Sequence, residues 1–208
     1  MSRDRAMQVL LAGLVVGLFV LQPAADLSLV PFWLPVLVTA CTLLAGAIAL
    51  TSPTLLRWPI FLCSAISSVG YALGSERLDG TAGVIGLVLL AFALLREVLA
   101  PGQVGRNRIM GAIALYLVIA LAFAGFYELL DTELPGSFAG ATHLPHSFRY
   151  FSIVVQTTIG FGDIVAATPL ARSVVMLQAV SGQIFIAVLL ARLVALQVEA
   201  RRQPEDRQ

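Results

Sequence analysis

Six long runs of apolar residues, separated by short polar stretches, make up most of the chain. Each run approaches or exceeds the ~20 residues that a helix needs to cross a membrane. The runs are Met7 to Gln22, Leu29 to Leu50, Trp58 to Gly74, Thr81 to Leu99, Ile109 to Leu130 and Pro169 to Val198. This pattern predicts an all-α membrane protein with six transmembrane helices.

The interval between the last two runs differs from the other connections. A polar loop, Asp131 to His146, leads into the apolar segment SFRYFSIVVQ, which is too short to span a membrane, and then into TTIGFGD. This order predicts a re-entrant short helix followed by a loop. Non-helical backbone at membrane depth is tolerated only where it is buried in protein or lines a water-filled path. The loop Thr157 to Asp163 therefore indicates a path across the membrane.

Composition agrees with a membrane protein, since 59% of the residues are hydrophobic, 12% are charged and the mean hydropathy is +0.92. The 13 basic residues are all arginines and the net charge is +1, so no basic block indicates nucleic acid as a partner. Cys41 and Cys63 lie inside apolar runs and are interpreted as packing residues. No nucleophile, base and orienting group can be assembled, so we expect neither enzymatic activity nor a cofactor.

The positions of the arginines predict the orientation, because cytoplasmic loops carry the excess of positive charge. With both termini in the cytoplasm, only Arg77, Arg149 and Arg172 lie outside, and the other ten of the 13 lie inside. We therefore expect a multi-pass protein of the cell membrane. One alternative stays open: Arg3 and Arg5, the apolar run after them and the small residues of QPAAD also fit a cleaved signal peptide.

Two glycines in the loop, Gly160 and Gly162, indicate what the path conducts. Glycine takes left-handed dihedral angles that other residues avoid. Alternating such angles with ordinary ones can turn successive carbonyl oxygens toward one side. A ladder of oxygens closed into a ring by several chains can replace the water shell of a cation.

The segment TTIGFGD resembles the signature of the potassium channels, T-x-G-Y-G or T-x-G-F-G followed by Asp. The resemblance covers about Ile109 to Val198, with a pore helix before the motif and an inner helix after it. It implies a selectivity filter for K⁺ as the permeant ion, formed by Thr158, Ile159, Gly160, Phe161 and Gly162. The carbonyls of the first four of these residues would bind the ion.

The resemblance also implies supporting residues around the filter. Thr157 would cap the end of the pore helix, and Asp163 would be tied to that helix through the hydroxyl of Tyr150. Tyr150 can equally be an aromatic residue of the membrane interface. Because the chain carries a single motif, a closed ring requires four copies, and we expect a homotetramer embedded in lipid.

On the inner helix, Gly182 matches the glycine about which related helices bend. Glycine permits such a kink, but it is also common where membrane helices pack closely, and both interpretations stay open. The positions that the resemblance turns toward the pore, as polar cavity lining or apolar gate, are Gln183, Ile186, Leu190 and Val194. Their spacing of three, four and four places them on one helical face.

These features predict a peripheral four-helix domain (1–100), a cytoplasmic linker (101–108), a pore domain (109–198) and a short cytoplasmic tail (199–208). The fourth run has no basic residue before Arg96, so strong voltage gating is not expected. A non-selective cation channel and a non-conducting scaffold or transporter subunit stay open as alternatives. His143 and His146 are either external pH sensors or ordinary loop residues.

Overall fold

The computed structural model describes residues 3–21, 23–24, 27, 29–31, 33–49, 54–73, 75–100, 105–142 and 147–202. Its elements, in chain order, are α1 (Arg3–Val16) continued by a π-helical turn (Gly17–Leu21), α2 (Trp33–Ala49), α3 (Thr54–Ala72), α4 (Glu76–Leu99), α5 (Arg106–Glu133), β1 (Phe138–Gly140), α6 (Ser147–Gln156), β2 (Ile164–Ala166) and α7 (Pro169–Arg202). The predicted helical character is confirmed, and the segment SFRYFSIVVQ forms the short helix α6.

Among the described residues, three helices are long and apolar enough to cross a membrane. They are Gly80–Leu99 within α4, Arg106–Glu133, which is α5, and Pro169–Arg192 within α7. These helices correspond to the last three predicted spans. Shorter apolar helices occupy Arg5–Leu21 and Trp58–Gly70. Within the described part of the chain, three spanning helices are therefore indicated, and the full set of six stays a prediction.

Prolines and one threonine explain several helix boundaries. α4 ends ahead of Pro101 and α5 ends ahead of Pro135, because the residue before a proline avoids the helical conformation. α7 begins at Pro169, where the missing N–H group would have had no helical partner. Thr168 caps this end, since its Oγ1 accepts a hydrogen bond from the backbone N–H of Ala171 at 3.3 Å.

α4 begins five residues earlier than the predicted span, at Glu76 and not at Thr81, which places Arg77 in its first turn. Arg77 Nε lies 3.2 Å from Glu133 Oε1 at the end of α5, with the two side chains 75% and 55% exposed. This ion pair joins the neighbouring ends of α4 and α5. Its exposure limits its contribution to about 1 kcal/mol or less.

The first five helices share one apolar core. Leu10 of α1, Ile60 of α3, Leu90 of α4 and Leu115 of α5 are all buried in it, and Phe185 of α7 packs against its edge. α4 lies along α5, so this core joins the N-terminal helices to the region that carries the loop.

A second, aromatic cluster holds α6 in place. Tyr127 of α5, Phe138 of β1 and Phe151 of α6 are buried with ring centroids 5.2 to 5.7 Å apart. Phe148, one turn before Phe151, packs edge-on to Phe138 at 5.0 Å. Large buried rings contribute much apolar contact area and have preferred tilted geometries. The cluster therefore fixes the position from which α6 presents the loop.

Candidate functional site

The loop TTIGFGD is bonded to the C-terminal end of α6. A helix end leaves four carbonyls without a helical partner, and the backbone of the loop satisfies three of them here. The backbone N–H donors and their carbonyl acceptors are Thr157 to Ile153 (2.9 Å), Thr158 to Val155 (3.0 Å) and Ile159 to Val154 (3.0 Å). Thr157 Oγ1 donates a further bond to the Ile153 carbonyl at 2.7 Å, and its capping role in a filter stays a prediction.

The handedness of the backbone alternates along the loop. Thr158, Gly160 and Gly162 have φ of +60°, +62° and +79°, whereas Ile159 and Phe161 between them keep φ in the ordinary negative range. The left-handed dihedrals predicted for the two glycines are confirmed. Such alternation can turn successive carbonyls to one side, and rings of carbonyls can replace a cation's water shell.

Thr158 is the residue in this series that the sequence does not predict to be left-handed. A left-handed conformation costs an ordinary residue roughly 1–2 kcal/mol, and a β-branched side chain makes it rarer still. The loop holds it through the bond to Val155 and through Thr158 Oγ1, which donates to the Thr157 carbonyl at 2.7 Å. Backbone strain of this kind is concentrated at functional sites.

Tyr150 lies next to the loop and interacts with two of its residues, Phe161 and Asp163. Its ring is parallel to that of Phe161, with an interplanar angle of 2° and centroids 6.3 Å apart. A hydrogen bond to the Asp163 carboxylate raises the pKa of Tyr150, and burial and the carboxylate charge add to this shift. The structure therefore brings Tyr150 and Asp163 together, and the same ring supports Phe161.

The chain that leaves the loop is fixed by the strand pair β1 and β2. Gly140 is paired with Ile164, and the N–H of Ala141 donates to the Asp163 carbonyl at 3.2 Å. Gly140 has φ of +104°, and an added Cβ would lie 1.9 Å from that carbonyl oxygen. Only glycine fits this approach, because any side chain would meet backbone.

The inner-helix residues predicted from the sequence differ in their exposure on α7. Gln183, Ile186 and Leu190 are exposed in this chain and share one face, while the side chain of Val194 lies outside the described residues. Gly182 is buried, and an added Cβ there would lie 2.9 Å from Gln156 Cγ. This contact favours close packing as the role of Gly182, and the hinge stays a prediction.

A buried hydrogen-bond network lies behind the loop and joins α5, α6 and α7. Gln178 Nε2 donates to the carbonyl of Ser152 at 3.0 Å, to Ser152 Oγ at 2.6 Å and to Gln156 Oε1 at 3.2 Å. The hydroxyl of Tyr127 donates to Gln178 Oε1 at 2.5 Å. All four residues are fully buried.

The network continues from α6 into α5. Gln156 Nε2 donates to the Tyr116 carbonyl at 2.6 Å, and the Tyr116 hydroxyl donates to the Gln156 carbonyl at 3.1 Å. The bond from the Tyr116 hydroxyl satisfies the carbonyl of Gln156, which is the fourth free carbonyl at the end of α6. Ser152 Oγ donates to the Ala120 carbonyl at 2.6 Å. The signal in the sequence is that Gln178 stands in an apolar spanning run, where buried polar side chains need partners.

The far end of α7 contacts the end of α4. The guanidinium of Arg192 donates to the carbonyl of Val98 and, at 2.6 Å, to that of Ala100. A cation at the C-terminal end of a helix is favourable because the free carbonyls there carry partial negative charge. The cytoplasmic position of Arg192 stays a prediction from the sequence, and the sequence does not predict this contact.

Within the described residues, no group of three or more His, Cys, Asp and Glu side chains could hold a metal ion. His143 and His146 lie outside the described residues, so their role as pH sensors stays a prediction.

Comparison with known proteins supports the resemblance seen in the motif. Residues 113–199 match a family model described as an ion channel. The chain is 35% identical over 78 residues to the inward rectifier potassium channel Kirbac3.1 of Paramagnetospirillum magnetotacticum, and this match covers 36% of the chain and 24% of the relative. No solved structure matches the chain significantly. These similarities are to an ion channel family and to a potassium channel, not to an enzyme, and they cover only part of the chain.

Proposed function

We propose that four copies of this chain form a potassium-selective channel that conducts K⁺ passively through the filter T-I-G-F-G. The alternation of backbone hand at Thr158, Gly160 and Gly162 carries this proposal. This alternation supports the proposal that the loop forms one strand of a carbonyl ladder, and three backbone bonds hold the loop on the end of a short helix. A ring of such strands supplies the dipoles that coordinate a dehydrated K⁺ ion.

The exposed surface of the chain supports assembly around a central axis. Every residue from Thr157 to Asp163 is exposed in the single chain, including Ile159 and Phe161, which are 55% and 66% exposed. α7 is apolar and exposed along much of its length, at Met176, Leu177, Val180, Ile184 and Val188. Closed cyclic symmetry would bring four filter strands together and cover this surface.

In this proposal both termini lie in the cytoplasm. Voltage is not the principal stimulus that opens the channel. A voltage sensor needs several cations within the membrane, since each charge supplies ~2.3 kcal/mol per 100 mV. In α4 the basic residues stand near the two ends, Arg77 in the first turn and Arg96 in the last. Arg96 lies over the ring of Phe92, 5.8 Å from its centroid, which fits a residue at the membrane interface.

The test is the reversal potential of purified protein in planar bilayers with K⁺ on one side and Na⁺ on the other. We expect a reversal potential near the K⁺ equilibrium potential. In Gly160→Ala we expect this selective reversal to be lost. An added Cβ at Gly160 meets open space within the chain, so this substitution acts through its φ of +62° and through the neighbouring copies. Gly136→Ala is the matched control, because Gly136 has φ of +83° and open space but lies outside the loop.

Two other results would replace the proposal with its alternatives. A reversal near zero for the unmodified protein would indicate a non-selective cation channel. Inserted protein that stays silent across voltage, pH and membrane tension, or that is monomeric in lipid, would indicate a scaffold or transporter subunit.

A further inference from the structure

We infer that Gln178 is a positioning residue of the filter: its side-chain amide fixes α6 against α7 and thereby sets where the loop begins. This inference rests on the proposed function and extends it to a residue of the inner helix that contacts the loop only through others. Gln178 is fully buried, and its amide lies where α5, α6 and α7 meet.

The orientation of the Gln178 amide is set by its partners. The Tyr127 hydroxyl, 2.5 Å from Gln178 Oε1, donates to that oxygen, so the NH₂ group faces α6. There it meets the carbonyl and Oγ of Ser152 and the side-chain oxygen of Gln156. The amide oxygen thus accepts a bond from α5, and the two hydrogens of the NH₂ group are shared among three acceptors on α6. An apolar or acidic side chain of the same size cannot make both sets of bonds.

Gln156 carries the effect from the network to the loop. Its backbone carbonyl directly precedes Thr157 and accepts a bond from the Tyr116 hydroxyl, while its side chain bridges from Gln178 to the Tyr116 carbonyl. The last residue of α6 is thus held on both sides, by α5 and by α7. Fully satisfied buried networks of this kind rigidify a structure, and a partly broken one is costly because groups lose their partners in a low dielectric.

The contact face of α7 agrees with this role. Gln178, Gly182 and Phe185 follow a spacing of four and three, so they lie on one face of the helix. Gln178 bonds to α6, Gly182 lies against Gln156, and the Phe185 ring stacks on that of Tyr116 with centroids 5.9 Å apart. A displacement of α7 would therefore move the C-terminal end of α6, where the loop begins.

The experiment compares Gln178→Leu with the unmodified protein in two measurements. The first is the permeability ratio of K⁺ to Na⁺ from reversal potentials, and the second is hydrogen exchange of the backbone amides of Thr157, Thr158 and Ile159. We expect the ratio to fall about tenfold and exchange to accelerate by a similar factor, as the loss of buried hydrogen bonds predicts. Gln8→Leu makes the same chemical change at an exposed position of α1 and should alter neither quantity.

Tyr127→Phe removes one oxygen and supplies a second, milder variant. It should lower the ratio and accelerate exchange less than Gln178→Leu, and adding it to Gln178→Leu should have no further effect, because Tyr127 acts through the amide. Additive effects of the two substitutions would overturn the inference. If Gln178→Leu fails to assemble, unchanged exchange in Tyr127→Phe would overturn it as well.

The two proposals fail in different ways. If the unmodified protein is selective and Gln178→Leu keeps both its ratio and its exchange rates, the positioning role is wrong and the channel proposal stands. If currents of the unmodified protein reverse near zero, the proposal of a potassium-selective channel is wrong. The exchange rates of Gln178→Leu then decide alone whether residue 178 positions the loop.

Discussion

Gly182 of α7 lies against Gln156 at the end of α6, so closely that an added Cβ would be 2.9 Å from Gln156 Cγ and 3.1 Å from its carbonyl oxygen. The same Gln156 carbonyl accepts the hydrogen bond from Tyr116. The glycine therefore lets α7 approach Gln156, the residue that directly precedes the loop TTIGFGD. Backbone can approach this closely only where one partner has no side chain.

The first prediction concerns Gly182→Ala. Alanine ordinarily stabilises the interior of a helix by about 1 kcal/mol relative to glycine. Here the added methyl group meets Gln156, and overpacking of this kind costs about 1–3 kcal/mol. We expect the melting temperature of the assembled protein to fall. A bending role without close packing predicts the opposite, since alanine would stiffen the helix and raise the melting temperature. Gly17→Ala is the control, because an added Cβ at Gly17 meets open space.

The second prediction concerns the strand pair β1 and β2, which follows the loop TTIGFGD. Gly140→Ala would place a Cβ 1.9 Å from the Asp163 carbonyl oxygen at a residue with φ of +104°. Backbone cannot yield as a flexible side chain does, so we expect β1 and β2 to separate and Asp163 to lose its bond from Ala141. The loss should exceed about 2 kcal/mol, measured as a fall in thermal stability together with faster hydrogen exchange at Ile164.

Gly136→Ala controls for the backbone conformation alone. Gly136 also has a left-handed φ, +83°, but an added Cβ there meets nothing within 4 Å. Its effect should stay near the 1–2 kcal/mol that the dihedral angle costs. Equal effects of the two substitutions would mean that contact with Asp163 contributes nothing.

The third prediction concerns Arg192, which joins α7 to the end of α4. Arg192→Gln removes the charge and the two-pronged donor, so we expect unfolding to become easier by about 1–2 kcal/mol. Arg192→Lys keeps the charge but cannot reach both carbonyls in the same geometry, and it should recover only part of the loss. Thermal melting in detergent measures both. Arg96→Gln serves as the control at an exposed arginine near the same end of α4, and an equal loss there would contradict the role of Arg192.

Much of the fold could be predicted because its signals are local. Runs of apolar residues indicated the helices, and the short run before TTIGFGD gave α6 with its bounds unchanged. Gly160 and Gly162 indicated left-handed backbone because the absence of a side chain is itself a conformational signal. The strands β1 and β2 were not predicted, since two three-residue segments with glycine nearby carry no alternation long enough to detect.

The contacts behind the loop could not be predicted, because they join residues far apart in the sequence. Tyr127 and Gln178 are 51 residues apart, and Tyr116 and Gln156 are 40 apart. Each of these residues lies in an apolar run. The periodicity of such a run predicts a helix, but it does not predict which other helix packs against each of its faces. Thr158 was missed for a different reason: its left-handed backbone is imposed by the bonds at the end of α6 and opposes the preference of its own side chain.

The last prediction uses the hydrogen bond between Tyr150 and Asp163. This bond raises the pKa of Tyr150 above the ~10 of a free tyrosine, because ionisation would remove the donated proton and place two negative charges together. A raised pKa of the folded state means that the bond stabilises the protein at every pH below about 10. Its contribution is lost as the pH rises through the raised value. We expect alkaline titration, followed by the ultraviolet absorbance of tyrosinate, to show a Tyr150 midpoint above that of free tyrosine.

Subtracting the titration of Tyr150→Phe isolates this residue from the other tyrosines, and the substituted ring can still stack on Phe161. Asp163→Asn removes the negative charge and weakens the acceptor, so it should move the midpoint down toward ~10. The stacking of Tyr150 on Phe161 does not depend on the carboxylate, so Asp163→Asn tests the interaction of the hydroxyl with that carboxylate separately from the stacking. A midpoint that Asp163→Asn leaves in place would show that Tyr150 supports the loop through its ring and not through its hydroxyl.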